Sequence, residues 1–180
     1  MIYCFLADGF EEVEAISAID MIRRADIDLK TVGVSGNFAV GAHGIKVECD
    51  CTEDEITLDS NLIGVILPGG MPGTLNLEKS ETVQKAIDFA ASEGKLVCAI
   101  CAAPSVLGHK GLLSDKNAIA YPGFEKDLQG AVISSEYVVR DGNFITAKGA
   151  GVAVDFGLEI VSAVSGADKA EEIRRAIQCR

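Results

Sequence analysis

Tryptophan is absent from this sequence of 180 residues, aromatic side chains make up only 6%, and there are two histidines and four prolines. With so few rings, Ala, Val, Ile and Leu must fill the core. At 48% hydrophobic content they can do so without disulfide staples. Basic residues are also scarce: 16 Lys and Arg face 27 Asp and Glu, a net charge of −11. That balance gives no general attraction for phosphate backbones or anionic lipid, so neither nucleic acid nor membrane is an expected partner. No apolar run approaches the roughly 18–20 residues that span a bilayer. The first residues lack a basic region, and Asp8 interrupts their apolar stretch, so a cytoplasmic protein with its six cysteines reduced is expected. Cys49 and Cys51 form a C-x-C, but neither His43 nor His109 stands at zinc-type spacing from them, and no metal is expected. A P-loop is also missing.

What is present alternates. Residues 2–7 form a short apolar run that stops at Asp8-Gly9, a buried-strand pattern. Val13, Ile16, Ile19, Met21 and Ile22 then recur at near-helical spacing. Glu11, Glu12 and Glu14 lie in the first turn and Arg23-Arg24 in the last, as the helix dipole favours. Residues 29–34 read as a second strand, completing a β-α-β unit. A hairpin is expected around Gly41–Gly44, a strand over 62–67 ending at Pro68-Gly69-Gly70, a helix over 81–92 stopped by Gly94, and a strand over 96–100. Beyond it come a short helix over 103–109, strands over 119–121 and within 131–147, and helices over 152–165 and 168–177. No repeat or linker appears, so residues 1–180 read as one α/β domain, a mostly parallel sheet with helices on both faces. Ligands bind such sheets beyond the carboxyl ends of the strands, where Asp8-Gly9, Gly69-Gly70 and Cys101 all fall.

Cys101 lies between an apolar strand and a helix with Pro104 in its first turn. A side chain at such a turn is lifted off the sheet, as in a nucleophile elbow, and the helix N-terminus favours a thiolate. The plainer reading is a small buried hydrophobe. Cys98 and Cys101 also form a C-x-x-C, but Cys98 falls inside the strand, and a spacing of three is expected to send the two side chains to opposite faces. Glu14 is the second candidate. An acidic first turn needs no chemistry to explain it, yet a carboxyl turned inward beside Val13, Ala15 and Ile16 would stay protonated and donate to a nearby thiolate.

Taken in order, Gly9-Phe-Glu-Glu-Val-Glu14, Met21-Ile-Arg-Arg-Ala25, Val65-Ile-Leu-Pro-Gly-Gly70, Ala99-Ile-Cys-Ala-Ala-Pro104 and Lys148-Gly-Ala-Gly-Val152 through Asp155-Phe-Gly-Leu158 cover essentially the whole chain. This ordered set resembles the ThiJ/PfpI superfamily, in the branch of the parkinsonism-associated protein deglycase and its bacterial homologues. The resemblance implies a flavodoxin-like three-layer sandwich that forms a homodimer. It casts Cys101 as the reactive cysteine, Glu14 as the protonated acid beside it, and the amides of Gly70 and Ala102, with Gly69 in the same loop, as an oxyanion hole. Arg24 matches an anion-contacting arginine near the site. His43 falls where relatives often carry an arginine that reaches the neighbouring subunit. Where many relatives have a His-Pro pair, this chain has Tyr121-Pro122, and Ala102 stands where the peptidase branch has its histidine, so no Cys-His protease dyad is supplied.

The implied activity is a cofactor-free glyoxalase or deglycase. Its Cys101 thiolate attacks methylglyoxal, glyoxal or their early adducts on thiols and amines, with Glu14 shuttling protons and Tyr121 or water as a helper. The alternative is an oxidative-stress sensor or chaperone working through oxidation of Cys101. Thiazole phosphate synthesis, suggested by the ThiJ name, has no phosphate-transfer motif here to support it.

Overall fold

Alternating apolar runs and amphipathic stretches become the layers of a sandwich. The computed structural model describes residues 1–179. Its elements follow in the order β1 (Ile2–Leu6), α1 (Glu12–Arg24), β2 (Leu29–Gly33), β3 (Phe38–Val40), β4 (Lys46–Glu48), β5 (Cys51–Thr52), β6 (Gly64–Leu67), α2 (Gly73–Lys79), α3 (Glu81–Ser92), β7 (Leu96–Ile100), α4 (Pro104–His109), β8 (Asn117–Ala118), β9 (Val132–Ile133), β10 (Val138–Asp141), β11 (Phe144–Ala147), α5 (Ala153–Ser165) and α6 (Ala167–Ala176).

The main sheet runs β10-β11-β7-β6-β1-β2-β5 and is parallel except for β10, which returns antiparallel to β11. Its middle five strands, β2-β1-β6-β7-β11, have the flavodoxin-like order 2-1-3-4-5. Side chains alternate between two cores. Cys4, Leu6, Ile66, Cys98 and Ile100 face α1, α5 and α6, while Phe5, Val65, Leu67, Val97 and Ala99 face α3 and α4. Cys4 pairs in register with Ile66, and Ile66 with Cys98, so two wholly buried thiols flank one isoleucine on one face of the sheet. No disulfide joins any two of the six cysteines among the described residues.

The structure departs from the sequence expectations in several elements. The strand expected over 62–67 begins at Gly64. Residues 119–121 are not a strand: the amide of Ile119 donates to Thr146 Oγ1 at 3.0 Å and that of Tyr121 to the carbonyl of Cys101 at 2.8 Å, so this stretch is tied to the site rather than to a ladder. The helix α2 was not expected, because Pro68-Gly-Gly-Met-Pro-Gly73 reads as loop up to its first residue. Finally, Val13 and Ile16 do not face the core. The buried face of α1 is Glu14, Ala15, Ala18, Ile19 and Ile22, which leaves Val13 and Ile16 exposed.

Candidate active site

Three strand ends converge where the strand order reverses beside β1. After β1 the chain turns through Asp8-Gly9-Phe10 into α1, after β6 it runs through Pro68-Gly69-Gly70, and after β7 it reaches Cys101. Backbone bonds lock these segments together. Glu11 donates its amide to the carbonyl of Gly69 at 2.9 Å, Thr74 to Gly70 at 2.9 Å, and Cys101 to Ala147 on β11 at 2.9 Å.

Cys101 is built as an elbow. Its φ is +65°, a left-handed conformation that costs a residue with a side chain about 1–3 kcal/mol. Pro104 then supplies the first residue of α4. The same turn corrects an expectation. In an extended strand Cys101 would face away from Cys98, but the left-handed φ swings it back, and it packs against the core that holds Cys98 and Ile100. Cys98 itself is wholly buried within β7, whereas Cys101 is partly exposed beyond its end.

Glu14 reaches this elbow from α1 and is only 1% exposed. Its Oε2 accepts from the amide of Gly69 at 2.9 Å, and the Cys101 side chain is the carboxyl's other polar neighbour. Its Oε1 is buried with no partner at full hydrogen-bond geometry. Gly69 has no substitute at this point: a β-carbon there would lie 2.6 Å from both Cys101 Cβ and Glu14 Oε2. The amides of Ala102 and Gly70 also act on the sulfur, favouring its ionised form. Gly70 holds the positive φ of +92° that this loop requires.

The electrostatics belong to the pair. Burial pushes the Glu14 carboxyl up to about 7, against the hydrogen bonds from Cys101 and from Gly69. Burial also raises the Cys101 thiol, the charge of Glu14 and the hydrogen bond to it raise it further, and the amides of Ala102 and Gly70 oppose them; the thiol is pushed up to about 12. A thiolate is therefore not a property of Cys101 and the short α4 alone, as the sequence suggested. Two of the three causes that raise the thiol act only while Glu14 is ionised. With the proton on Glu14 they vanish, and the acid becomes a donor to sulfur alongside the two amides.

The remaining sequence candidates scatter. Arg24 is not brought to the site within the chain: it lies ten residues beyond Glu14 on α1, about 15 Å along the axis, and pairs with Asp20 at 2.9 Å. His43 borders the site without touching Cys101. Its Nδ1 stands 3.0 Å from Glu12 Oε2 and 3.5 Å from Glu11, and its amide donates to Glu12 Oε1 at 2.8 Å. Burial of Glu12 works against its charge, but the hydrogen bonds from His43 and the amide of Ile45 outweigh it and keep that carboxyl below its usual range. Tyr121 lies beside the site, half-exposed, and lines a pocket of about 430 Å³ with Pro122, Tyr137, Lys148 and the Gly149–Val152 turn. Tyr137 carried no signal in the sequence. Lys148 and Gly149 were visible only as part of a family block.

Known proteins resemble this chain in sequence and in fold. The model of the DJ-1/PfpI family matches residues 1–163. Protein dj-1beta of Drosophila melanogaster is 34% identical over 175 residues, covering 96% of this chain and 93% of that protein. A deglycase of Pyrococcus abyssi is 29% identical over 147 residues, covering 79% and 86%. Among solved structures, the DJ-1 superfamily protein STM1931 of Salmonella typhimurium, crystallised as a cysteine-to-alanine mutant, has a TM-score of 0.93 at 32% identity, covering 99% of this chain and 98% of that one.

Proposed function

This chain belongs to the DJ-1/PfpI family, and from that premise we propose that it is a cofactor-independent glyoxalase or deglycase acting on small reactive carbonyls through Cys101. The observation that carries the reading is the buried Glu14 carboxyl beside the Cys101 sulfur, with the amides of Gly70 and Ala102 also acting on that sulfur. The relative from Pyrococcus abyssi is itself named a deglycase.

In this reading the Cys101 sulfur attacks the aldehyde carbon of methylglyoxal. A C–S bond forms, the carbonyl π pair moves to oxygen, and the two amides hold the oxyanion. Glu14 gives its proton to that oxygen, which completes the hemithioacetal and leaves Glu14 a carboxylate. Glu14 takes the proton from the former aldehyde carbon to give an enediol and returns it to the neighbouring carbon, leaving a thioester. Water hydrolyses the thioester to lactate and frees the thiol, so the net change is methylglyoxal plus water to lactate. On a glycated thiol or amine the same nucleophile would meet the early adduct. The exposed Val13 and Ile16 on α1 support a homodimer formed through that helix.

Proton NMR of methylglyoxal in phosphate buffer tests the reaction. Many equivalents of lactate per protein, abolished by Cys101→Ser, are expected. Consumption capped near one equivalent without lactate would overturn the reaction and point to the oxidation-sensor reading.

A further inference from the structure

The reacting end of a three-carbon aldehyde needs little more than the space between Cys101, Glu14 and the Gly70 loop, yet a pocket of about 430 Å³ opens beside it. That is within the usual range for small-molecule sites, about 300–1,000 Å³. Its walls are unusual for a chain so poor in rings. Tyr121 and Tyr137, two of only three tyrosines, both line it, and both leave at least half their surface outside the core. Folding does not account for two exposed rings set around one hollow.

The Tyr137 wall is held in place. The amide of Lys148 donates to the carbonyl of Tyr137 at 2.9 Å, and the Lys148 ammonium lies over the Tyr137 ring, 4.8 Å from its centre. Pro122 and Val152 complete the apolar lining. The pocket also communicates with the chemistry. A β-carbon on Gly149 would lie 3.3 Å from the Tyr121 ring and 3.9 Å from Glu14 Oε1, the buried oxygen without a partner. Gly149 is thus the point where the pocket wall meets the acid.

We propose that Tyr121, Tyr137 and the Lys148–Val152 turn form a specificity subsite that receives the non-reacting end of the carbonyl substrate and favours a flat aryl group over a methyl. A ring placed there meets two tyrosine rings, while the carbonyl it carries lies towards Cys101 and its hydroxyl, once the adduct forms, towards Glu14 Oε1. The inference rests on Cys101 being the nucleophile of the proposed function and adds what the substrate carries.

Alkylation of Cys101 by two α-bromoketones tests the subsite without requiring turnover. Phenacyl bromide and bromoacetone each form a thioether with the sulfur and release bromide, and they differ in the aryl against the methyl end. The phenacyl-to-acetonyl rate ratio, divided by the same ratio for glutathione, is expected to be about ten for the wild type, the effect of a favourable aromatic contact. Tyr137→Ala, which removes a wall, is expected to bring it to about one. So is Gly149→Val, whose backbone is extended at φ 160° and accepts any residue. Circular dichroism checks that both variants are folded. A wild-type ratio equal to that of glutathione, or a ratio unmoved in both variants, would overturn the subsite. Absence of lactate would instead overturn the proposed reaction and leave this ratio readable.

Discussion

Gly69 donates its amide to Glu14 Oε2 at 2.9 Å and, having no side chain, lets that carboxyl lie directly against it. Gly69→Ala sets a methyl 2.6 Å from both Cys101 Cβ and Glu14 Oε2, and 2.9 Å from the carbonyl of Ile100. Something must move. Turnover of methylglyoxal is expected to fall about 100-fold, the usual cost of displacing reacting groups by an ångström. Thermal denaturation should show a loss of about 1–3 kcal/mol. A fully active, fully stable Gly69→Ala protein would mean that the two side chains are not held as described.

Glu14→Gln isolates the shared proton. The proposed mechanism needs the pair, on losing one proton, to keep the other on the acid, which leaves sulfur as the nucleophile. Without the acid the thiol must ionise against burial, with only the amides of Ala102 and Gly70 to help. The pH midpoint for alkylation of Cys101 by iodoacetamide is expected to move in the alkaline direction by about one unit or more. An unchanged profile would remove Glu14 from the site.

Stability should carry the same signature. The Glu14 carboxyl sits at about 7 in the fold, above its ordinary 4.5. Between those values the folded chain binds the proton that the unfolded chain has lost, so stability falls as pH rises through this window. The loss is on the order of 3 kcal/mol by pH 8. Urea denaturation at pH 5 and pH 8 is expected to show a smaller drop for Glu14→Gln than for the wild type. Equal drops in both proteins would locate the titration elsewhere.

The elbow has a stability cost of its own. Cys101 adopts φ +65°, where glycine is at ease and other residues are strained. Cys101→Gly is therefore expected to be more stable than Cys101→Ala by about 1 kcal/mol in denaturant titrations, although both lack the nucleophile. The reverse order would argue against a strained backbone at this position.

Much of the architecture could be read from local pattern, because the physics there is local. Leu96–Ile100 is an unbroken apolar run and Glu81–Ser92 is amphipathic with Gly94 behind it, so β7 and α3 have the expected bounds. The orientation of α1 was harder. Whether residue 13 or residue 14 faces the sheet turns on about one-third of a helical turn, and the apolar spacing pointed to Val13. The fold chose Glu14, where Gly69 donates to the carboxyl and Cys101 lies beside it. No local pattern reports a partner 55 or 87 residues away, so the residues alone left Glu14 a candidate beside the plain helix-dipole reading, and the family resemblance gave it its role. Arg24 shows the opposite failure. A motif match placed it near the site, while ten residues of rigid helix keep it away within the chain. Tyr137 was beyond reach for a third reason: the hollow it shares with Tyr121 exists only once Lys148, directly after β11, has packed against Tyr137.

Cys4 and Cys98, on either side of Ile66, give the molecule two internal clocks. Neither thiol meets solvent while the sheet is closed, and burial holds both well above the ordinary thiol range. Their labelling rate under native conditions therefore reads how often the central strands open, just as slowly exchanging amides do. Cys101, partly exposed in the same chain, reads only its own reactivity. A single time course resolved by cysteine separates a variant with altered chemistry from one that merely opens more often.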